Sequence, residues 1–443
     1  METTHENAAW GGGNDSLKSQ CTDNYSIYSE DTRETMDVEG QIATGEILVT
    51  RITSHNPTRL TKRFELDQEG QLVKHLGGQL VSGTAEQINI SDLNDLSMKL
   101  ASLASAQAMT YGIAADHPSA PVVTDAAHQE GDGCITRTRR YFGYRRAPGI
   151  MMLDHDAKSA EYEPKELIAA LRSVAPSLAN VSLLWRASAS SGIVTTADGQ
   201  ELNGLCGQRL YLLVSDAALI PEAGQALVNL CWAKGLGRID VGAAGQALER
   251  TLFDATVWQP ERLDLAAGPA LGSGLGRQVP EPFVDGDSAA RFDLRLLIAE
   301  ADQGVISKAT AARKQAREAK TEALACARQT WLDEQAPKLA EKRQITVEVA
   351  RDTLERAAAR YRLDMDFVLS AHGGADVTVR ELLENRERWH GQRFADPLEP
   401  EYRDDDRIAW ANLRSGGQLS ITIQKLPGIN IEFFPVERAT QRV

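Results

Sequence analysis

The chain has 443 residues and a formal net charge of −14, with 42% hydrophobic and 25% charged residues. This length predicts two or three domains of an ordinary globular protein, and the acidic balance argues against a globally basic nucleic-acid binder while leaving room for a local basic surface. No apolar run approaches the ~20 residues of a membrane span, the N-terminus lacks the pattern of a signal peptide, and the scattered cysteines form no Cys-x-x-Cys pair, so we expect a cytoplasmic protein without membrane contact, structural zinc or disulfides.

The first 40 residues are polar and acidic, and they contain too few aliphatic side chains to bury a core. We expect a disordered leader over residues 1–40. From Glu46 the pattern changes to short apolar runs separated by polar turns, which predicts an antiparallel meander. A helix with Ser91 as its cap is expected to follow, because leucines recur there at helical spacing. This first ordered domain is expected to span residues 41–290.

Five arginines interleaved with three aromatic residues lie between positions 137 and 146. Basic side chains neutralise phosphates and aromatic rings stack on bases, so the stretch is a candidate nucleic-acid surface. A solvated hairpin edge would have the same composition. The residues that we assign to nucleic-acid contacts are Arg137, Arg139 and Arg140.

A short apolar run from Gly149 leads directly into Asp154, His155 and Asp156, which predicts a buried strand that ends in two carboxylates. Side chains alternate along a strand, so the two carboxylates are expected on one face, roughly 6.5 Å apart at their Cα atoms, with His155 on the other. Their repulsion would be relieved by a cation that prefers hard oxygen ligands, such as Mg²⁺ or Mn²⁺. A solvated strand end is the alternative, since short Asp-x-Asp sequences are common.

Three further groups lie at predicted strand ends. The strand from Val181 runs into a loop of small residues that includes Ser190 and Ser191. Hydroxyls and free backbone amides in such a loop suit a triphosphate, although tight loops without a ligand have the same composition. Arg209 enters the next buried strand, and Asp254 follows a later apolar run.

The C-terminal part has a different character. Residues 291–375 are expected to form long charged helices, because the stretch from Ala301 to Leu339 is rich in Ala, Lys, Glu and Arg. Residues 376–443 are expected to form a small α+β segment. A second Asp-x-Asp sequence, Asp364 to Asp366, lacks a preceding apolar run and predicts a helix-terminal turn. No phosphate-loop sequence of a helicase is present.

The order of these segments resembles the archaeo-eukaryotic primase superfamily, in its primase and primase-polymerase versions from phages, plasmids and integrated elements. That family carries an apolar-Asp-x-Asp motif, a second motif with a small and a basic residue, and a third apolar-Asp motif. The matching segments are Leu153–Asp156, the serine loop with Gly207–Arg209, and Phe253–Asp254. Three further sequence segments also resemble the family, namely Thr61–Phe64, Tyr141–Phe142 and Asp254–Leu263. The resemblance covers about residues 46–290, and a weaker one covers Phe394–Tyr402.

The resemblance implies an α/β (α+β) fold, in which a primase-like catalytic domain with a mixed or antiparallel sheet flanked by helices precedes a helical C-terminal region. It implies a DNA primase or primase-polymerase of a mobile genetic element, which joins NTPs or dNTPs on single-stranded DNA by Mg²⁺- or Mn²⁺-dependent nucleotidyl transfer. Unwinding would need a separate helicase. The residues implied as catalytic groups and metal ligands are Asp154, Asp156 and Asp254. The residues implied to bind the nucleotide are Ser190, Ser191 and Arg209.

One position departs from the family pattern. Arg209 stands where the second motif usually has a His that contacts the incoming triphosphate. Arginine is always charged and binds phosphate through two hydrogen bonds, but strong binding would slow product release. The alternative is therefore a catalytically inactive primase-fold protein that binds DNA or nucleotide as a replication or defence factor. A metal-dependent nuclease is a second alternative, since clustered acids also serve phosphodiester hydrolysis.

Overall fold

Helices and strands are mixed along the chain, and the sheets are antiparallel or mixed, which confirms the predicted α/β (α+β) class. The computed structural model describes residues 45–125, 127–156, 162–360, 362–363, 365, 367–398, 407–413, 420–423 and 430–433. The expected leader, residues 1–40, lies outside the described residues. Within the described part, no helix is both long and apolar enough to cross a membrane.

The N-terminal region is an antiparallel sheet with one helix. Its elements are, in chain order, β1 (Ile47–Asn56), β2 (Arg63–Leu66), β3 (Leu72–His75), β4 (Ser82–Ile90), α1 (Leu93–Ala101), β5 (Gln107–Thr110), β6 (Ile113–Ala114), β7 (Ser119–Val123), β8 (Ile135–Thr136) and β9 (Phe142–Gly143). The main sheet has the order β5-β1-β4-β7-β8. Asp92 caps α1 by accepting a hydrogen bond from the backbone of Asp95, so the helix starts one residue later than a Ser91 cap would give.

The second region carries the Asp-x-Asp strand. Its elements are β10 (Gly149–Asp156), α2 (Pro164–Val174), β11 (Leu183–Ala187), β12 (Ile193–Thr195), β13 (Glu201–Asn203), β14 (Gly207–Val214), α3 (Ile220–Ala233), β15 (Arg238–Val241), β16 (Ala247–Arg250), β17 (Ala270–Leu271), β18 (Leu275–Arg277), β19 (Phe283–Asp285), β20 (Arg291–Phe292), α4 (Leu294–Glu300) and α5 (Gln303–Glu318). The central sheet has the order β10-β14-β11-β19, with β20 parallel to β14. Residues 150–153 of β10 are all buried, so both faces of this strand are covered.

One hydrophobic core joins both regions, from Ile47 on β1 to Ala309 on α5. The sequence placed a boundary near residue 290 and grouped the next helices with a separate charged region. Instead, Leu294 and Leu297 of α4 are buried in this core, and α5 packs against α3. The apolar face of these two helices is short and interrupted by charges, which hid their packing in the sequence.

A second core begins with α6. The elements are α6 (Thr321–Arg343), α7 (Val347–Arg360), β21 (Arg362–Leu363), β22 (Val368–Ser370), β23 (Asp376–Thr378), α8 (Val379–Glu384), α9 (Arg386–Trp389), β24 (Arg393–Phe394), β25 (Ala409–Asn412), β26 (Ser420–Ile423) and β27 (Asn430–Phe433). Side chains of α6 and α7 pack with those of the C-terminal strands in this core, which also includes Ala244. Asp364 and Asp366 lie outside the described residues.

Candidate active site

Three neighbouring strands place one charged side chain each in a row. Asp154 on β10 lies opposite Arg209 on β14, and Arg209 lies opposite Arg186 on β11. Directly opposite residues of antiparallel strands face the same side of a sheet, so a carboxylate and two guanidinium groups share one face. The alternation along β10 is as expected, because His155 is buried while Asp154 is partly exposed and Asp156 is exposed. The imidazole of His155 is hydrogen-bonded through Nδ1 to the carbonyl of Leu252 (2.7 Å).

The third predicted acid lies beside the first. The backbone N–H of Asp254 donates to the carbonyl oxygen of Asp154 at 2.8 Å. The side chain of Asp254 caps a short 3₁₀ helix, Ala255–Trp258, by accepting from the N–H of Thr256 at 2.9 Å. Trp258 at the end of that helix donates through Nε1 to the carbonyl of Met152 (2.9 Å). These bonds hold the two acids side by side although they are far apart in the sequence.

Arg209 is engaged by two carboxylates. Its Nε donates to Oδ1 of Asp154 at 3.2 Å, and its Nη1 forms an ion pair with Asp264. The buried carboxylate of Asp264 also accepts hydrogen bonds from the hydroxyls of Tyr111 (2.6 Å) and Tyr211 (2.9 Å). Burial would lower the pKa of Arg209, but Asp264 and Asp154 outweigh it and raise that pKa, so the guanidinium stays charged. Arg209 is therefore part of the framework that holds the site.

The environment of Asp154 contains excess negative charge. Burial raises the pKa of this carboxyl, Arg209 opposes the rise, and the carboxylates of Asp254, Asp156 and Asp264 add to it. A carboxylate with a raised pKa beside other acids is a place where a bound cation is stabilising.

A divalent ion can be held here only together with other ligands. Within the described residues, no group of three or more His, Cys, Asp or Glu side chains is arranged to hold a metal ion by itself. Asp154 and Asp254 line one cleft, while Asp156 stands at the exposed end of β10. Mg²⁺ is commonly held by one or two carboxylates together with substrate phosphates and water. The donor set thus fits an ion that binds together with a phosphate-bearing substrate.

Lys62, which lies just before β2, lines the same cleft. Its Nζ donates to the hydroxyl of Ser190 at 2.6 Å. Burial lowers the pKa of Lys62 to about 8, and the nearby cations Lys74 and Arg209 act in the same direction. The ammonium group therefore still carries its charge at neutral pH and can attract an anion.

The two predicted serines have different surroundings. Ser190 is partly exposed and faces Lys62, as described above. Ser191 is buried, and its hydroxyl donates to the carbonyl of Gly207 (2.8 Å) and accepts from the N–H of Gly207 (3.0 Å). Ser191 thus anchors the loop to β14, whereas the hydroxyl of Ser190 contacts Lys62, a residue that lines the cleft.

The cleft encloses about 150 Å³ and is lined by the charged residues Lys62, Asp154, Arg209, Asp254 and Arg262. Small-molecule sites typically enclose roughly 300–1,000 Å³. The cleft is therefore large enough for a phosphate group and too small to enclose a whole nucleoside triphosphate, the rest of which would lie over the open surface.

Two of the three predicted nucleic-acid arginines contact Glu261, which precedes the cleft residue Arg262. Arg137 donates through Nη1 to the carbonyl of Glu261 (2.9 Å), next to Arg262 in the sequence. Arg139 pairs with the carboxylate of Glu261, and Arg140 pairs with Glu130, both at 3.4 Å. Arg139 and Arg140 are more than half exposed, which leaves them accessible to a phosphate backbone, whereas Arg137 braces the segment from the inside.

Sequence reasoning missed two residues of the site. Lys62 lies in the segment Thr61–Phe64. This segment resembles the primase family, but the resemblance implies no role for the lysine. Asp264 follows Leu263 in an apolar-Asp pattern, a signal like that of Asp254, but nothing in the sequence placed it behind Arg209.

Comparisons of this chain with protein-family models, with curated proteins and with solved structures give no match, so the resemblance to primases rests on the sequence motifs alone.

Proposed function

We propose that this protein is a metal-dependent nucleotidyltransferase, a primase or primase-polymerase of a mobile genetic element, that joins NTPs or dNTPs on a single-stranded DNA template. The observation that supports it most is the meeting of Asp254 with Asp154 on a cleft that Lys62 also lines. Carboxylates that bind a cation beside cations that bind phosphate are the combination that phosphoryl transfer requires.

Each residue has a distinct role in this proposal. Asp154 and Asp254 would hold Mg²⁺ or Mn²⁺, with Asp156 at the rim. When bound, the ion supplies Lewis acidity and orients the reacting phosphate. Lys62 and the neighbouring Ser190 bind phosphate oxygens. Arg209, fixed by its buried partner, orients Asp154.

The alternative is a catalytically inactive primase-fold protein that binds DNA or nucleotide. The ion pair between Arg209 and Asp154 favours it, because the guanidinium occupies an oxygen that a metal ion needs. An arginine cannot release a proton to vacate this position. Binding of nucleotide without turnover would then be the function, as in a replication or defence factor.

Incorporation of labelled nucleotides tests the proposal. The full chain is incubated with single-stranded DNA, with and without a primer, and with NTPs or dNTPs in Mg²⁺ or Mn²⁺. We expect labelled products that Asp154→Asn and Asp254→Asn each abolish, while the control Asp285→Asn, on the far strand of the sheet, retains them. Nucleotide binding without products would support the inactive alternative, and shortening of the DNA would support a nuclease. A DNA helicase added in trans tests whether unwinding is supplied by a partner.

A further inference from the structure

The outer edge of β10 is covered by the segment that carries Asp254. Among the strands that the structure describes, β10 pairs only with β14 and forms one edge of the central sheet. Backbone groups on the outer side of such a strand need partners from elsewhere in the chain. The N–H of Asp254 donates to the carbonyl of Asp154 at 2.8 Å. The indole of Trp258 donates to the carbonyl of Met152 at 2.9 Å.

His155 joins β10 to the same segment in the opposite direction, from a side chain on the strand to a carbonyl of the segment. Its Nδ1 lies 2.7 Å from the carbonyl oxygen of Leu252. A carbonyl only accepts hydrogen bonds, so Nδ1 carries the proton. Nε2 is buried and has no hydrogen-bond partner among the described residues. A buried N–H without a partner is costly, so Nε2 is the unprotonated nitrogen of a neutral ring.

Two aromatic rings hold the imidazole in this orientation. Tyr162 meets it edge-on, with ring centroids 5.4 Å apart and an angle of 78° between the planes. Phe253 meets it at 6.4 Å and 74°. The histidine is only 5% exposed. Since Phe253 belongs to the covering segment, His155 contacts that segment both through its ring and through its donor.

Apolar burial and hydrogen bonding have different effects on this segment. Leu252 and Phe253 are buried in the first core, which keeps the segment close to β10. The hydrophobic effect is non-directional, so it does not select one position along the strand. A hydrogen bond has a preferred length and angle, so the bond from His155 fixes where Leu252 lies. The place of Asp254 beside Asp154 depends on that register.

We propose that His155 is a positioning residue, which sets the spacing between the carboxylates of Asp154 and Asp254 by holding Leu252 against β10. The donor at Nδ1 has this role, and the ring adds packing. The inference rests on the proposed function only for what the two carboxylates bind, a divalent cation. Residues that orient metal ligands typically change metal affinity by about 10–100-fold when they are replaced.

Leucine and asparagine at this position separate positioning from packing. The two side chains have nearly the same shape, but only asparagine has an N–H close to the place of Nδ1. If His155 only packs, His155→Leu is the milder change, because an amide is costly to bury. If His155 positions the segment, His155→Asn keeps the bond to Leu252 and His155→Leu loses it.

Hydrogen–deuterium exchange of the full chain without metal reports the position of the segment, because the amide of Asp254 is protected by its bond to Asp154. Loss of one hydrogen bond changes such an equilibrium by roughly two- to tenfold. We expect peptides that contain Asp254 to exchange about fivefold faster in His155→Leu and within about twofold of wild type in His155→Asn. The control His390→Leu removes another buried histidine and should leave these peptides unchanged.

His155→Phe keeps the ring without the donor and should accelerate exchange as His155→Leu does, so it replaces that variant if His155→Leu does not fold. Thermal melts with dATP, in Mn²⁺ and in chelator, give a second readout. We expect His155→Asn to keep the rise of melting temperature that Mn²⁺ gives wild type, and His155→Leu to lose at least about half of it.

Exchange at Asp254 that His155→Leu and His155→Phe leave unchanged, or that His155→Asn accelerates equally, would overturn the inference. A full Mn²⁺ response of His155→Leu would overturn it as well. The expected exchange pattern in a wild type that Mn²⁺ does not stabilise would retain His155 as the positioning residue of the two acids and remove the proposed enzyme.

Discussion

Asp264 and Arg209 form an ion pair behind the cleft, in which the side chain of Asp264 is fully buried and that of Arg209 is 13% exposed. Tyr111 and Tyr211 donate to the other oxygen of the same carboxylate, so this group has a partner on each side. The arrangement fixes the guanidinium and, through it, Asp154.

Removing the carboxylate tests this framework. Breaking a buried pair leaves one charge uncompensated, which typically costs about 3–5 kcal/mol. We expect Asp264→Asn to lower the free energy of unfolding by about that amount in urea denaturation. Asp285→Asn breaks a pair with Arg172 whose carboxylate is 42% exposed, and it should cost about 0–1 kcal/mol. Similar costs for both variants would show that Asp264 is not the counter-charge of the site.

A double-mutant cycle isolates the pair itself. Arg209→Met alone leaves the buried carboxylate of Asp264 without a cation, and Asp264→Leu alone leaves Arg209 paired with Asp154 only. We expect the double variant to be more stable than Arg209→Met, because the fully buried carboxylate that Arg209→Met leaves uncompensated is then absent. Denaturation of the four proteins gives the coupling free energy. Strictly additive effects would mean that the two groups do not interact.

Local patterns predicted the elements of the site. The apolar run of residues 150–153 predicted β10, and strand alternation predicted that Asp154 and Asp156 share one face while His155 lies on the other. The order of the three motifs led to the expectation that Asp254 would approach Asp154, and a backbone hydrogen bond joins them. Whether these residues bind metal and nucleotide stays a prediction.

Long-range pairing limited what the sequence could predict. The ion pair between Arg209 and Asp264 forms only in the folded chain, where two strands and a loop meet. Likewise, Lys62 reaches Ser190 across 128 positions. Spacing within one segment carries no information on such contacts. The sequence analysis therefore assigns Arg209 to the ligand alone and gives Lys62 no role.

The lowered pKa of Lys62 predicts a pH-dependent stability. This pKa is about 8 in the folded protein and 10.5 in a free lysine. The unfolded chain therefore binds more protons between pH 8 and 10.5, so the cost of burying the charge is full below pH 8 and is relieved as the pH rises. We expect Lys62→Met to raise the free energy of unfolding at pH 7, by on the order of 1–3 kcal/mol.

That gain should shrink toward zero near pH 10.5, as measured by urea denaturation at several pH values. Lys314→Met removes a lysine that is 78% exposed and should show no such trend. A gain for Lys62→Met that is the same at pH 7 and pH 10 would contradict the assignment of the lowered pKa to burial.

The extent of the first core predicts where the chain can be shortened. Leu294, Leu297 and Ala309 are buried with the site region, so a chain ending at residue 295 would expose that core. We expect a chain ending at residue 320 to give a cooperative thermal transition and to bind nucleotide, and a chain ending at 295 to do neither. Equal behaviour of the two truncations would mean that α4 and α5 are dispensable for the site.

The two acids of β10 decide between a metal site and a structural strand end. Burial raises the pKa of Asp154, so its charged form is disfavoured in the folded protein and reduces stability at neutral pH. An asparagine keeps the shape and can still accept the hydrogen bond from Arg209. Without metal, Asp154→Asn/Asp156→Asn should therefore melt no lower than wild type. A structural role of the carboxylates predicts the reverse, since their hydrogen bonds would be weakened.

Thermal melts in chelator and in Mn²⁺ separate these outcomes, because an ion that binds the folded state raises its melting temperature. We expect Mn²⁺ to raise the melting temperature of wild type, most strongly with nucleotide present, and to leave the double variant unchanged. Asp364→Asn/Asp366→Asn removes the other Asp-x-Asp sequence and should respond to Mn²⁺ as wild type does. If wild type shows no shift in Mn²⁺ and the β10 variant melts several degrees lower in chelator, the carboxylates of this strand are structural and the catalytic proposal fails with them.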